Sequence, residues 1–248
     1  SYVEAMAYMA KKYNIEIKEE ELSEEQNVEQ SEKDSMLVVT NYASQYYIDQ
    51  LWNSEDGKSI GLSYFKERGF RDETIKKFEL GFSHDQWDGF TKDAVAKGYK
   101  TEFLTKTGLS IERDNANDSS EKKFFDRFRG RVMFPIHNVA GRVIAFGARI
   151  LKIDKTQAKY LNSTESVVYH KSKVLYGLYQ AKQAIRKEEE CLLVEGYTDV
   201  VSLHQSGVEH VVASSGTSLT EDQIKLIKRY TPNITILYDG DSAGIKAA

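Results

Sequence analysis

From residue 191 to residue 239 the chain alternates strand-like and helix-like runs, and this alternation restricts its fold more than any other feature. The runs read CLLVE, TDVVSLHQ, HVVAS, EDQIKLIKRY and NITILYD. Cys191, Leu192, Leu193 and Val194 are apolar without interruption, as in a parallel strand covered on both faces. A β-α-β-α-β order implies a parallel sheet. Thr220 and Gln223 stand at capping-box spacing before the second helix, with Glu221 and Asp222 in its first turn. The final DSAGIKAA stops where a third helix should begin, so a truncated α/β unit is expected.

The upstream chain has a different character. Residues 1–14 read as the end of a helix, and the acidic stretch from Glu16 to Asp34 reads as a linker without periodicity. Residues 36–52 place apolar side chains at helical spacing. SIGLSYFKERGF and RDETIKKFELGF predict two short helices separated by Gly69, the second with Asp72 as N-cap. WDGFTKDAVAKGY and TEFLTKTGL predict helices that close on glycine. Near residue 124 the pattern turns to strand: RVMFPIHNVAGRVIAFGARIL holds two β-rich runs joined by HNVAGR, with Gly141 in the turn. Phe134, Ile136, Ile144 and Phe146 are expected in the core of those strands, and residues 173–187 return to helix. The expected fold class is therefore α/β. An α+β N-terminal subdomain, residues 36–187, packs against a partial α/β subdomain with a parallel sheet, residues 188–248. Residues 1–35 precede both.

Charge divides the chain in the same way. The net charge is −4, yet residues 122–187 hold 15 Lys and Arg against 3 Asp and Glu, a net of +12 in an otherwise acidic chain. Such a block fits a phosphate-binding surface, and its interleaved aromatics and arginines set it apart from a merely solvated lysine face. No apolar run approaches the ~20 residues that cross a bilayer, and no membrane partner is expected. Cys191 is the single cysteine. It excludes an internal disulfide and any zinc site built on cysteine pairs, and it fits a reducing, cytoplasmic setting.

The chemistry concentrates at strand ends. Ligands of parallel α/β sheets gather beyond the carboxyl ends of the strands. Glu195 ends the first strand, and Asp239 and Asp241 end the third in ILYDGDSAG. Residues i and i+2 of an extended segment point the same way, so the two aspartates can present oxygens together. Three converging carboxylates repel unless a cation meets them. A hard divalent ion with oxygen ligands, Mg²⁺ or Mn²⁺, answers that need. The alternative is that Glu195 pairs with an arginine of the basic block while the aspartates cap a helix. Asp199 is either a further carboxylate near the metal or an exposed first-turn helix residue.

A glutamate ending strand one and Asp-x-Asp ending strand three resemble the Toprim fold. FFDRFRGRVMFPIHNVAGRVIAFGARIL, KYLNSTESVVYHKSKVLYGLYQA and LLVEGYTDVVSLHQSGVEHVVASSGTSLT resemble the RNA-polymerase domain of the bacterial DnaG-type primases, and the likeness runs from about residue 37 to the end. Residues 1–14 resemble the last helix of that family's zinc-binding domain, whose zinc ligands are absent from this chain.

The resemblance implies synthesis of short RNA primers on a single-stranded DNA template from ribonucleoside triphosphates. It implies Glu195, Asp239 and Asp241 as catalytic and metal-binding residues, with Asp199 near the metal. It assigns template or nucleotide contacts to Arg129, Arg131, Arg149, Lys159, Tyr160, Asn162 and Lys171, each otherwise a surface cation or a packed side chain. The family meets its replicative helicase through a C-terminal domain that this chain lacks, and the core is expected to act as a monomer. A further acidic motif of the family is also missing. The competing readings are another Toprim enzyme, a topoisomerase or nuclease, and a non-catalytic single-stranded nucleic-acid-binding module.

Overall fold

The computed structural model describes residues 8–10, 12–13, 23–113, 123–152, 156–214 and 219–239. It divides into two compact units, Ser1–Asp34 and Ser35–Ala248. In the first, residues 8–10 and 12–13 are helical. Helix α1, Glu24–Asn53, starts there, so residues 24–34 are helix where the sequence reading expects linker. The helix is polar and lacks an apolar stripe at this end, but it is capped. Ser23 Oγ accepts from the Gln26 N–H at 3.3 Å, and Gln26 Oε1 accepts from the Ser23 N–H at 3.0 Å. A Glu29–Lys33 pair at 2.7 Å adds support one turn along.

In the second unit α1 buries Met36, Val39, Ala43, Tyr47 and Leu51, one face at three- and four-residue spacing. A π-helical turn, Gly57–Leu62, leads into α2, Ser63–Glu67, and Gly69 (φ +78°) separates it from α3, Asp72–Lys77. Asp72 is the first helical residue of α3 and not its cap; extended Arg71 holds the cap position, and Asp72 pairs with Lys66. After β1, Gly81–Ser83, come α4, Gly89–Ala96, and α5, Thr101–Lys106. Strands β2, Ser110–Arg113, and β3, Lys123–Asp126, form a small antiparallel sheet of their own.

The main antiparallel sheet has the order β1-β4-β5-β6, with β4 Arg131–His137, β5 Val143–Ile150 and β6 Tyr160–Asn162. Its central hairpin turns at Gly141 (φ +87°), a conformation that favours glycine. Phe134, Ile136, Ile144 and Phe146 are all buried, as expected. Beyond a short 3-10 turn, Lys171–Lys173, helix α6, Leu178–Glu188, leads to the parallel sheet β8-β7-β9. Its elements are β7 Cys191–Val194, α7 Tyr197–Gln205, β8 Val211–Ala213, α8 Glu221–Ile227 and β9 Ile234–Ile236. Both neighbours of β7 run parallel to it. The two sheets share one hydrophobic core: Phe134, Ile136 and Ile144 pack in the same cluster as Val194, Tyr197, Val200 and Val211.

Candidate active site

The parallel ladder sets the carboxylates. Leu237 continues the pairing by donating its N–H to the Leu193 carbonyl at 2.8 Å, which brings the chain after β9 alongside the end of β7. Two residues on, the Asp239 N–H donates to Glu195 Oε1 at 3.1 Å. Glu195 therefore meets a neutral backbone donor at the strand end, and among the described residues no arginine forms an ion pair with it. Asp199, in the first turn of α7, accepts from the Gly196 N–H at 3.0 Å and so caps the helix that follows Glu195. Desolvation raises the Asp199 carboxyl above the ordinary aspartate value; the Gly196 N–H pulls it back, the charge of Asp239 pushes it up again, and Arg68 lowers it. The coupling to Asp239 means that the two carboxylates feel each other's charge.

These residues line a cleft of about 570 Å³ together with Arg68, Lys159, Tyr160, Asn162, Lys171 and Tyr197. The facing wall is strand β6. Its Asn162 accepts from the Tyr197 hydroxyl at 2.7 Å, a bond that joins β6 to the start of α7 in the cleft. Tyr197 lies stacked on Phe134, with ring centroids 5.2 Å apart, and edge-on to Tyr176 at 4.7 Å. It fits only because residue 147 is glycine: a Cβ there would stand 2.3 Å from the tyrosine ring. Arg149 lies beside the cleft, 5.7 Å from the Tyr160 ring centre and 5.0 Å from that of Tyr64, whose hydroxyl accepts its guanidinium. Arg68 covers the same Tyr64 ring at 5.1 Å. Cations and aromatic rings thus alternate along one wall from Arg68 to Tyr160.

Of the residues singled out from sequence, the cleft gathers Glu195, Asp199, Asp239, Lys159, Tyr160, Asn162 and Lys171. Asp241 lies outside the described residues. Arg129 and Arg131 line a separate cavity of about 300 Å³ with Asp85, Arg127, Lys152 and Gln157. Arg131 is buried, and its guanidinium donates to the Ala158 carbonyl at 3.0 Å, so it braces the approach to β6. Arg129 lies 4.4 Å over the ring of Trp87, which is 47% exposed. Asp126, whose N–H donates to the Trp87 carbonyl at 2.8 Å, is buried and accepts from the N–H groups of Phe90 and Thr91 at 2.8 and 2.9 Å. Sequence reasoning missed Arg68, Arg127 and Trp87. Arg68 lies in a segment of net negative charge, and only the exposure of Trp87 distinguishes it from a core aromatic.

Residues 46–182 match the family described as DNA primase catalytic core, N-terminal domain, and residues 192–248 match the Toprim-like family. The chain belongs to the DNA primase catalytic core family. It is 40% identical to the DNA primase of Halalkalibacterium halodurans over 100% of this chain and 40% of that protein. With the Pseudomonas aeruginosa DNA primase it shares 38% over 100% of this chain and 36% of the relative. The chain thus spans about two fifths of the length of these curated relatives. Among solved structures it is similar to a DnaG primase catalytic domain bound to single-stranded DNA, with TM-score 0.78 and 38% identity over 88% of this chain and 65% of that one. The RNA polymerase domain of Mycobacterium tuberculosis primase DnaG gives TM-score 0.76 and 33% identity, covering 86% and 69%. A topoisomerase or nuclease reading would explain the Toprim-like half alone; the primase match extends through the antiparallel half as well.

Among the described residues no group of three or more His, Cys, Asp or Glu side chains stands at metal-ligating geometry. The donors that face the cleft are nonetheless carboxylate oxygens, two of them electrostatically coupled, and they suit a hard divalent ion. No helix among the described residues is long and apolar enough to cross a membrane.

Proposed function

We propose that this chain supplies the polymerising core of a DNA primase, joining ribonucleoside triphosphates into short RNA primers on a single-stranded DNA template. The observation that carries the reading is the cleft itself. Strand-end carboxylates Glu195 and Asp239, with Asp199, face Arg68, Lys159 and Lys171 across one opening floored by Tyr197. Phosphoryl transfer needs positioning and charge neutralisation more than covalent help from the protein. Residues 188–248 supply the carboxylates and Tyr197, and residues 36–187 supply the cations and the Tyr160 ring.

Glu195, Asp239 and Asp241 would hold Mg²⁺ or Mn²⁺, which neutralises charge on the phosphate oxygens of a bound triphosphate. Lys159 and Lys171, which line the same cleft, would meet those phosphates, and exposed Tyr160 would offer a ring face to a base. The cavity of Arg127, Arg129 and Lys152, with Trp87 beside it, suits the template backbone and a stacked template base. The proposal extends to a cytoplasmic protein acting as a monomer, with a replicative helicase engaged through a separate domain.

The test is primer synthesis by the protein extended to the length of its relatives. Glu195→Gln and Asp239→Asn remove charge with little change of shape. Each should abolish synthesis in Mg²⁺ while melting temperature in chelator and single-stranded DNA affinity stay near the parent's. Variants that melt early yet still make primers would overturn the metal assignment. Unchanged DNA binding in chelator, with no metal-dependent nucleotide binding in the parent, would favour the non-catalytic module.

A further inference from the structure

The capping box of α8 reaches beyond its own helix. Gln223 is fully buried, and its side-chain amide donates to two carbonyls of a distant segment, Lys171 at 3.2 Å and Val174 at 2.9 Å. Its Oε1 accepts from the Thr220 N–H at 3.1 Å. Thr220 Oγ1 accepts from the Gln223 N–H at 3.2 Å and donates to the Ser172 carbonyl at 2.5 Å. Three carbonyls in and directly after the 3-10 turn Lys171–Lys173 are therefore held by two residues of the parallel-sheet region. On the other side of the turn, Glu165 Oε1 accepts from the Lys171 N–H at 2.9 Å. A single turn of 3-10 helix has little stability of its own. Here its backbone is gripped from both sides, and the residue it presents to the cleft is Lys171.

We propose that Thr220 and Gln223 are positioning residues for Lys171, fixing where its ammonium meets the triphosphate. The inference rests on the reading of the cleft as a nucleotide site. A capping box that served α8 alone would need neither Gln223 burial nor bonds to Lys171, Ser172 and Val174.

The experiment is a double-mutant cycle on the full-length protein, reading the affinity of a fluorescent ribonucleoside triphosphate with Mg²⁺. Lys171→Ala should weaken binding about tenfold or more, the effect of losing a charge-assisted contact to phosphate. Thr220→Val keeps the side-chain shape and removes the hydroxyl, with its bonds to the Ser172 carbonyl and the Gln223 N–H; loss of the bond to Ser172 should weaken binding about fivefold. Thr220→Ser should restore the parent's affinity. Because Thr220 acts through Lys171, Thr220→Val should add nothing in the Lys171→Ala background. Gln223→Ala serves as a second probe and is read only where melting shows it folded. Additive losses, or a Thr220→Val loss confined to melting temperature, would overturn the proposal. If Lys171→Ala binds the triphosphate like the parent, the nucleotide reading of Lys171 fails, and the positioning role fails with it.

Discussion

The cleft at the end of β7 and the cavity beside Arg129 draw on the same basic block but balance it differently. In the cleft three cations, Arg68, Lys159 and Lys171, face three carboxylates, Glu195, Asp199 and Asp239. Among the described residues the second cavity has Arg127, Arg129, Arg131 and Lys152 around the one carboxylate of Asp85. A surface with excess positive charge can attract and hold a polyanion, but it offers few ligands to a divalent ion. The mixed cleft can bring a metal and a phosphate together. Basic character alone therefore does not distinguish the two regions; the strand-end carboxylates do, and on the proposed reading they mark the chemistry.

The largest effect that separates the two regions is expected from Gly147→Ala. Its Cβ would stand 2.3 Å from the buried Tyr197 ring, under the cleft and away from Arg129. Overpacking of this kind costs about 1–3 kcal/mol. Denaturant unfolding should show that loss, and under conditions where the variant is folded triphosphate binding should fall more than single-stranded DNA binding. Equal losses of both would mean that the two regions respond as one.

A smaller and more local effect is expected at the second cavity. Arg129→Ala should weaken single-stranded DNA binding by about 1 kcal/mol and lower the slope of affinity against salt by about 1. Triphosphate affinity should not move. A salt slope equal to the parent's would place the template elsewhere.

The smallest is a pH dependence set by buried Asp126, whose N–H donates to the Trp87 carbonyl. Burial raises its carboxyl above the ordinary value of 3.8, outweighing the hydrogen bonds from Thr91 and Phe90. A raised carboxyl binds its proton more tightly in the folded state. Its contribution to stability is thus full below the ordinary value and is lost as pH rises through the raised one. In Asp126→Asn that decline should vanish from the stability–pH curve, although the amide must oppose an N–H of Phe90 or Thr91 and lowers stability overall. An unchanged decline would assign it to another group.

What could be read beforehand follows from the range of each signal. The parallel sheet and Glu195 were legible because a continuous apolar run ending in a carboxylate is a local pattern with few explanations. The capping box at Thr220–Gln223 was legible as a helix start, but its grip on residues 171–174 was not, since Gln223 and Val174 lie 49 positions apart in the sequence. Strand β1 has three residues, too few for alternation to register against the helices around it. The polar first turns of α1 lacked an apolar period, and the cue present, Ser23 followed by Gln26, is a cap without a stripe. Arg68 was hidden by averaging, as one cation in a segment of net negative charge. The fit of Tyr197 over Gly147 is a coincidence of two distant positions that no single stretch displays.

The shared core also sets an order of assembly. The β4–β5 hairpin closes over a turn of a few residues, whereas Arg71 and Gln205, which hydrogen-bond through backbone and side chain, lie 134 residues apart. Contacts across such separations carry a higher loop-closure cost and form late. Since Val194 and Tyr197 complete a cluster begun by Phe134 and Ile136, the antiparallel half can emerge from the ribosome and collapse with part of its core uncovered. The cleft comes into being only when β7 docks. Newly made chains should therefore pass through a stage that exposes an apolar face beside a strongly basic one, before the strand-end carboxylates are in place to balance it.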